Sequence, residues 1–186
     1  MPRNNTDFLL FGEQTARLAF RKVLDSDFDD WLRFCAFPDS LKYIMPKNER
    51  TPEENCRFWF DRVAHRYEND LGGMNALVEK ESGSLAGQCG LLKKTIDNEP
   101  ILEIGYSMMP EFRGKGYAFE AAQKCRDFAF ENELSDMLYS VILPGNDASI
   151  QVATKNGMKL LKITIEDGDK VGIYGISRED WVHLNA

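Results

Sequence analysis

The sequence predicts one domain of the mixed α/β (α+β) class, with a mostly antiparallel central sheet of about seven strands flanked by about four helices. Three observations carry this. A chain of 186 residues suits a single domain with a full core. Apolar periods of two and of 3.6 alternate along it in the order β-α-α-β-β-β-α-β-α-β-β. Hairpin turns and strand–helix–strand units both occur, which implies a mixed sheet with helices packed on it.

The elements follow in order. Residues 1–14 read as a short arm ahead of a domain spanning 15–186. Thr15–Arg21 (TARLAFR) alternates like a first strand. Asp25, Ser26 and Asp27 offer caps for a helix through Trp31 and Phe34. Thr51-Pro52-Glu53-Glu54 is a strong helix start, with a capping threonine, proline at the first position and acids in the first turn. Phe58, Val63 and Tyr67 fall on one face of that helix, and Leu71-Gly72-Gly73 ends it. Strands near Ala76–Lys80 and Leu85–Leu92 flank a turn at Glu81–Ser84. A further turn at Asp97–Pro100 leads into a strand at Ile101–Met109. A helix from Gly114 to Glu131 is supported by Ala118, Ala121, Ala122, Cys125, Phe128 and Ala129 at helical spacing. Met137–Leu143 is a strand, and Pro144–Asp147 turns into a short helix ending at Asn156-Gly157. Two last strands, Met158–Glu166 and Lys170–Ser177, are joined by Asp167-Gly168-Asp169, and Trp181 is expected to anchor the C-terminal end.

Composition bounds the function. Hydrophobic residues make up 43% and charged residues 28%, ordinary proportions for a soluble globular chain. No apolar run is long enough to span a bilayer, and residues 1–14 lack an export-signal core. No membrane partner is therefore expected. The net charge of −7 argues against nucleic-acid binding, which needs clustered Lys and Arg, and is compatible with a cationic substrate. Cys35, Cys56, Cys89 and Cys125 form no Cys-x-x-Cys pair, and His65 and His183 lie far apart, so no metal site is expected. Four reduced thiols fit a cytoplasmic protein. Dimerisation is left open.

One stretch asks for an explanation. Pro110–Ala122 reads PEFRGKGYAFEAA, with two glycines between a strand and a helix start that they weaken. A helix N-terminus presents unpaired N–H groups and the positive end of the dipole. Gly114 and Gly116 let an anion approach that backbone, and Arg113 and Lys115 add charge, so a phosphate or pyrophosphate is the expected guest. A Walker loop does not fit, because Tyr117 and Ala118 follow Gly116 where Lys-Ser/Thr is required. A dinucleotide fingerprint fails at Phe119, where a third small residue is needed.

Arg113-x-x-Gly116-x-Ala118 resembles the Arg/Gln-x-x-Gly-x-Gly/Ala signature of the GNAT N-acetyltransferases. Glu103-Ile104-Gly105-Tyr106 resembles that family's fourth strand. Asn146-x-x-Ser149 with Lys155-Asn156-Gly157-Met158 resembles its downstream segment, Met158 standing where Phe is usual. Thr15–Leu18 and Ser177–Trp181 resemble the branch containing the ribosomal-protein N-terminal (RimJ/RimL-type) acetyltransferases. The resemblance covers nearly the whole domain and implies the GNAT acyl-CoA N-acyltransferase fold. It also implies acetyl-CoA as donor, transfer to a primary amine and no metal. By resemblance the loop Arg113, Gly114, Lys115, Gly116, Tyr117 and Ala118 holds the pyrophosphate. The backbone of Ser107, Met108 and Met109 would pair with the pantetheine arm, and Asn146 would meet the arm from the other side.

Amine acetylation needs a held thioester, a neutral amine and donors for the oxyanion. Alternation on Ile101–Met109 puts Glu103, Gly105, Ser107 and Met109 on one face. A carboxylate in such an apolar run is unusual, and burial would raise its pKa and suit it to accept the amine's proton. Pairing with a nearby Arg, or reaching solvent at a sheet edge, is the structural alternative. The tyrosine acid common in the family is Ala153 here, and Ser149 is the substitute that the resemblance suggests. Trp31, Tyr43, Phe58 and Tyr174 are candidates for the acceptor wall. The favoured acceptor is a protein N-terminal amine. The alternatives are a small-molecule amine (polyamine, amino sugar or antibiotic) or a sensor that binds acyl-CoA without turnover.

Overall fold

The computed structural model describes residues 8–45 and 49–184. Seven strands form one sheet in the order β1-β2-β3-β4-β5-β7-β6. They are β1 (Leu18–Arg21), β2 (Gly72–Glu79), β3 (Leu85–Ile96), β4 (Glu99–Met108), β5 (Met137–Ile142), β6 (Lys159–Glu166) and β7 (Asp169–Ser177). Every neighbouring pair is antiparallel except β4 and β5. The helices are α1 (Phe28–Ala36), α2 (Pro52–Glu68), α3 (Tyr117–Glu131), α4 (Asp147–Lys155) and α5 (Arg178–Leu184).

Two cores lie on opposite faces of this sheet. The α3 face buries Leu102, Ile104 and Met108 of β4 against Ala121, Ala122, Cys125 and Ala129. The small α3 residues let that helix approach the sheet closely. The other face packs α1 and α2 through Trp31, Phe34, Cys56, Trp59 and Val63. Trp31 is fully buried, stacked on Phe34 at 4.2 Å and tilted against Trp59 at 5.2 Å. Trp31→Ala should therefore lower unfolding free energy by about 3–5 kcal/mol in a denaturant titration.

The α2 start is a full capping box: the Glu54 amide donates to Thr51 Oγ1 at 3.2 Å and the Thr51 amide to Glu54 Oε2 at 2.8 Å. The α1 start is different. The Asp27 carboxylate is taken by Arg21, at 2.7 and 2.6 Å, rather than capping the helix.

Several expectations are corrected. Residues 8–14 are not an arm ahead of the domain, because Phe8 and Leu10 are core residues and the Leu10 amide donates to Asn75 Oδ1 at 3.0 Å; residues 1–7 lie outside the described residues. Gly72-Gly73 opens β2 instead of merely ending α2; a Cβ on Gly72 would stand 2.1 Å from the Leu91 carbonyl oxygen. β3 runs on to Ile96, carrying Lys93 and Lys94 alongside β4. The helix expected from Gly114 begins at Tyr117, since Gly114 and Gly116 hold φ of 71° and 82°. A fifth helix follows β7, where the Ser177 hydroxyl accepts from the Asp180 amide at 3.0 Å. Trp181 does anchor this end, donating to Asp127 Oδ1 at 2.8 Å and packing on Phe130.

Candidate active site

The parallel neighbours β4 and β5 pair only at Glu103↔Tyr139 and then diverge. Ser140 Oγ donates to the Ile104 carbonyl at 3.1 Å, so the Ile104 backbone faces β5. By strand alternation the backbones of Tyr106 and Met108 face the same opening, while those of Ser107 and Met109 face β3. Indeed the Met109 amide donates to Ala86 O at 2.9 Å. Of the three residues expected to meet a pantetheine arm through their backbone, Met108 alone turns its amide to the gap. Its carbonyl accepts from Arg113 Nε at 3.0 Å.

The gap opens into a cavity of about 330 Å³. Glu103, Ser107, Asn146 and Ser149 all line it. Asn146 is the α4 cap, its Oδ1 accepting from the Ser149 amide at 3.3 Å. The Ser149 carbonyl accepts from Tyr106 Oη at 3.0 Å, tying α4 to β4 across the gap. Burial pushes the Tyr106 hydroxyl well up, so it stays protonated at neutral pH. Of the aromatic candidates for the acceptor wall, Tyr43 lines the cavity and donates to Gly145 O at 2.7 Å. Trp31 is core, Tyr174 packs on the core, and Trp59 rather than Phe58 faces the cavity.

Glu103 is 8% exposed, on the cavity side of β4. Among the described residues its ion-pair partner is a lysine, while its charge also acts on Arg66. Lys94 Nζ lies 3.1 Å from Glu103 Oε2 and 2.8 Å from Glu166 Oε1, and the Val141 amide donates weakly to Glu103 Oε1 at 3.4 Å. Burial raises the Glu103 carboxyl above the ordinary glutamate range, and Lys94 opposes that without cancelling it. Gly105 leaves the neighbouring space open; a Cβ there would stand 2.9 Å from Leu92 Cδ1. The result is a buried carboxylate, readier than a surface one to take a proton, facing a cavity.

The glycine stretch lies beyond the C-terminal end of β4 and is not part of the cavity wall. The first α3 hydrogen bond runs from the Glu120 amide to Gly116 O at 3.1 Å, and no side chain caps the helix. The amides of Tyr117, Ala118 and Phe119 thus have no intrahelical acceptor. Gly114 and Gly116 are both in the left-handed region, and a Cβ on Gly114 would meet nothing within 4 Å. The loop is open toward the solvent where an anion would sit. It is braced from below by Arg17, which pairs with Glu120 at 2.6 Å, donates to Lys115 O at 2.9 Å and stacks on Tyr117.

Arg113 is placed otherwise than expected. Its guanidinium turns back to Met108 O and to Ser40 Oγ, 2.6 Å away, beside Phe34 and Phe37. It fixes the loop to the segment after α1 instead of reaching across the helix start. Sequence reasoning missed Arg17 and Glu166, each distant in sequence from the group it holds, and Lys94, brought to Glu103 by the β3–β4 pairing. Among the described residues no cluster of three His, Cys, Asp or Glu side chains could hold a metal ion.

A family profile described as acetyltransferase (GNAT) domain matches residues 17–159. The uncharacterized protein YkkB of Bacillus subtilis is 38% identical over 139 residues, covering 74% of this chain and 78% of that protein. The acetyltransferase of Agrobacterium tumefaciens superimposes with a TM-score of 0.74 at 26% identity, covering 94% of this chain and 98% of that one. Likeness of fold alone extends to two further enzymes. One is a ribosomal-protein-S5-alanine acetyltransferase from Vibrio fischeri, with TM-score 0.70 and 18% identity over 92% of this chain and 98% of that one. The other is a spermidine N-acetyltransferase from Vibrio cholerae, with TM-score 0.71 and 14% identity over 90% of this chain and 99% of that one.

Proposed function

The chain belongs to the GNAT acetyltransferase family, and on that premise we propose that it transfers the acetyl group of acetyl-CoA directly to a primary amine, with Glu103 taking the amine's proton. The carrying observation is the buried carboxylate of Glu103, its pKa raised by burial, on the cavity beside the parallel, diverging pair β4 and β5. The open start of α3, with the amides of Tyr117 and Ala118 and the small residues Gly114 and Gly116, supports pyrophosphate binding there. Lys115 adds charge. The Met108 amide, facing the gap, and Asn146, which lines the cavity, support a place there for the pantetheine arm.

In the reaction the amine nitrogen bonds to the acetyl carbon, its proton passes to Glu103, and the carbon–sulfur bond breaks to release the coenzyme A thiolate. Ser149, at the start of α4, offers a hydroxyl to that thiolate. A thiol of pKa about 8.5 leaves with little help, so Ser149→Ala should reduce turnover far less than loss of Glu103.

A protein N-terminal amine and a small-molecule amine are both acceptors of the right chemistry. The former ionises near pH 8, against about 10.4 for a lysine, and so needs the weaker base. The test is mass spectrometry of products from acetyl-CoA with peptides having free Ala, Ser or Thr N-termini, polyamines, amino sugars and amino acids. An acetylated amine is expected. Acetyl-CoA binding with no product from any amine would contradict the transferase reading in favour of a sensor.

A further inference from the structure

The cavity wall carries both charges. Its acids come from the sheet and its turn: Glu103 of β4, Glu166 of β6, Asp167 of the following turn and Asp169 of β7. From α2 come Arg62 and Arg66, one turn apart. Lys94 stands between Glu103 and Glu166 and is engaged by both.

The two arginines are not engaged in that way. Arg66 donates through one terminal nitrogen to Leu71 O at 2.6 Å and Lys93 O at 2.8 Å. Those bonds hold the guanidinium in place, and its Nε is buried with no hydrogen-bond partner among the described residues. Arg62 is exposed at the mouth, 5.6 Å from the Phe58 ring. Neither makes an ion pair among the described residues. Like charges one turn apart on a helix repel; burial first and then Arg62 lower the Arg66 pKa, while the Glu103 charge opposes them. That carboxylate is already engaged by Lys94.

We infer that Arg62 and Arg66 form an anion subsite, and that the acceptor is an amine carrying a carboxylate. This rests on the transferase reading of the same cavity. The ammonium enters along the acidic wall toward Glu103, and the carboxylate docks on α2, where an arginine fork suits it. A linear polyamine fits poorly, since its second cation would meet Arg62. Ammonium plus carboxylate describes both a free amino acid and a peptide whose first residue is Asp or Glu.

The experiment compares matched acceptors that differ only in that charge: amino acids against their amides, and peptides beginning with Asp or Glu against those beginning with Asn or Gln, with spermidine as the cationic control. The anionic members should have kcat/KM at least about tenfold higher, the size of one charge-assisted hydrogen bond. The arm that reacts better tells free amino acid from peptide. Arg62→Gln should remove the preference mainly through KM. Arg62→Glu, at an exposed position that should not disturb folding, should shift it toward spermidine. Equal use of neutral and anionic partners, or a preference unchanged in both variants, overturns the subsite. If no amine is acetylated, calorimetry on protein saturated with coenzyme A decides. Anionic amines bound by the wild type and not by Arg62→Glu would uphold the subsite while ending the transferase reading. No binding of anionic amines would end the subsite as well.

Discussion

Replacing Glu103 by glutamine should cost at least about 100-fold in kcat/KM for the amine, the lower range for loss of a positioned general base. The KM for acetyl-CoA should change little, because the glycine loop proposed to hold the pyrophosphate is not part of the cavity wall. The substitution keeps the shape of the side chain and removes its proton affinity. The pH profile carries the sharper information. Burial raises the Glu103 carboxyl despite Lys94, and the base works only when ionised. Wild-type activity should therefore fall as pH drops through a value above the ordinary glutamate range. Glu103→Gln should lose that limb and retain only the amine's own ionisation. Lys94→Met removes the cation that opposes the rise, so its acid limb should move to higher pH. A glutamine variant with near-normal turnover and an unchanged profile would remove Glu103 from the mechanism.

Stability should move the other way. A carboxyl whose native pKa is raised binds its proton more tightly folded than unfolded. Its contribution favours folding below the unfolded pKa and is lost as pH rises through the native one. At neutral pH Glu103 is thus a liability to the fold, and Glu103→Gln should not lower Tm. A large loss of activity without a loss of Tm separates a chemical role from a structural one.

The second large effect is expected at Gly116. Valine there must hold φ of 82°, a region that costs an ordinary L residue about 1–2 kcal/mol and a β-branched one more. A Cβ would meet nothing closer than Arg17 Nη2 at 3.5 Å, so the damage comes from the backbone and not from a clash. The loop would relax, and the amides at the α3 start would lose their shared aim. Gly116→Val should raise the KM for acetyl-CoA and the Kd for coenzyme A by about tenfold or more. The Glu103 limb of the pH profile should stay where it is. Coenzyme A affinity equal to wild type by calorimetry would mean that the α3 start does not hold the pyrophosphate.

Much of this was visible in local pattern. The Thr51–Glu54 cap, the alternation that puts Glu103 and Ser107 on one face of β4, and the small-residue stripe of α3 are short-range signals, and the fold uses each of them. The glycine stretch was legible as the turn between β4 and α3, although Gly114 and Gly116 lie before α3 and not inside it, because two left-handed residues cannot continue a right-handed helix. What was hidden depends on register. Lys94 reaches Glu103 only because β3 runs to Ile96 and pairs residue by residue with β4, and Glu166 joins them from β6, 63 residues beyond Glu103 in a chain order that gives no hint of it. Arg113 was read by its position in a motif, but the nearby Met108 carbonyl and Ser40 hydroxyl claim its guanidinium. The Ser177–Asp180 cap of α5 was present in the sequence and is a local signal that was overlooked.

The most direct test of the central claim is a single turnover with isotopically labelled acetyl-CoA, followed by intact-mass spectrometry of both acceptor and protein. Direct transfer predicts the label on the acceptor's nitrogen, none on the protein, and neither product formed at a comparable rate by Glu103→Gln. Label retained on a protein side chain, or equal labelling of the acceptor by the glutamine variant, would contradict it.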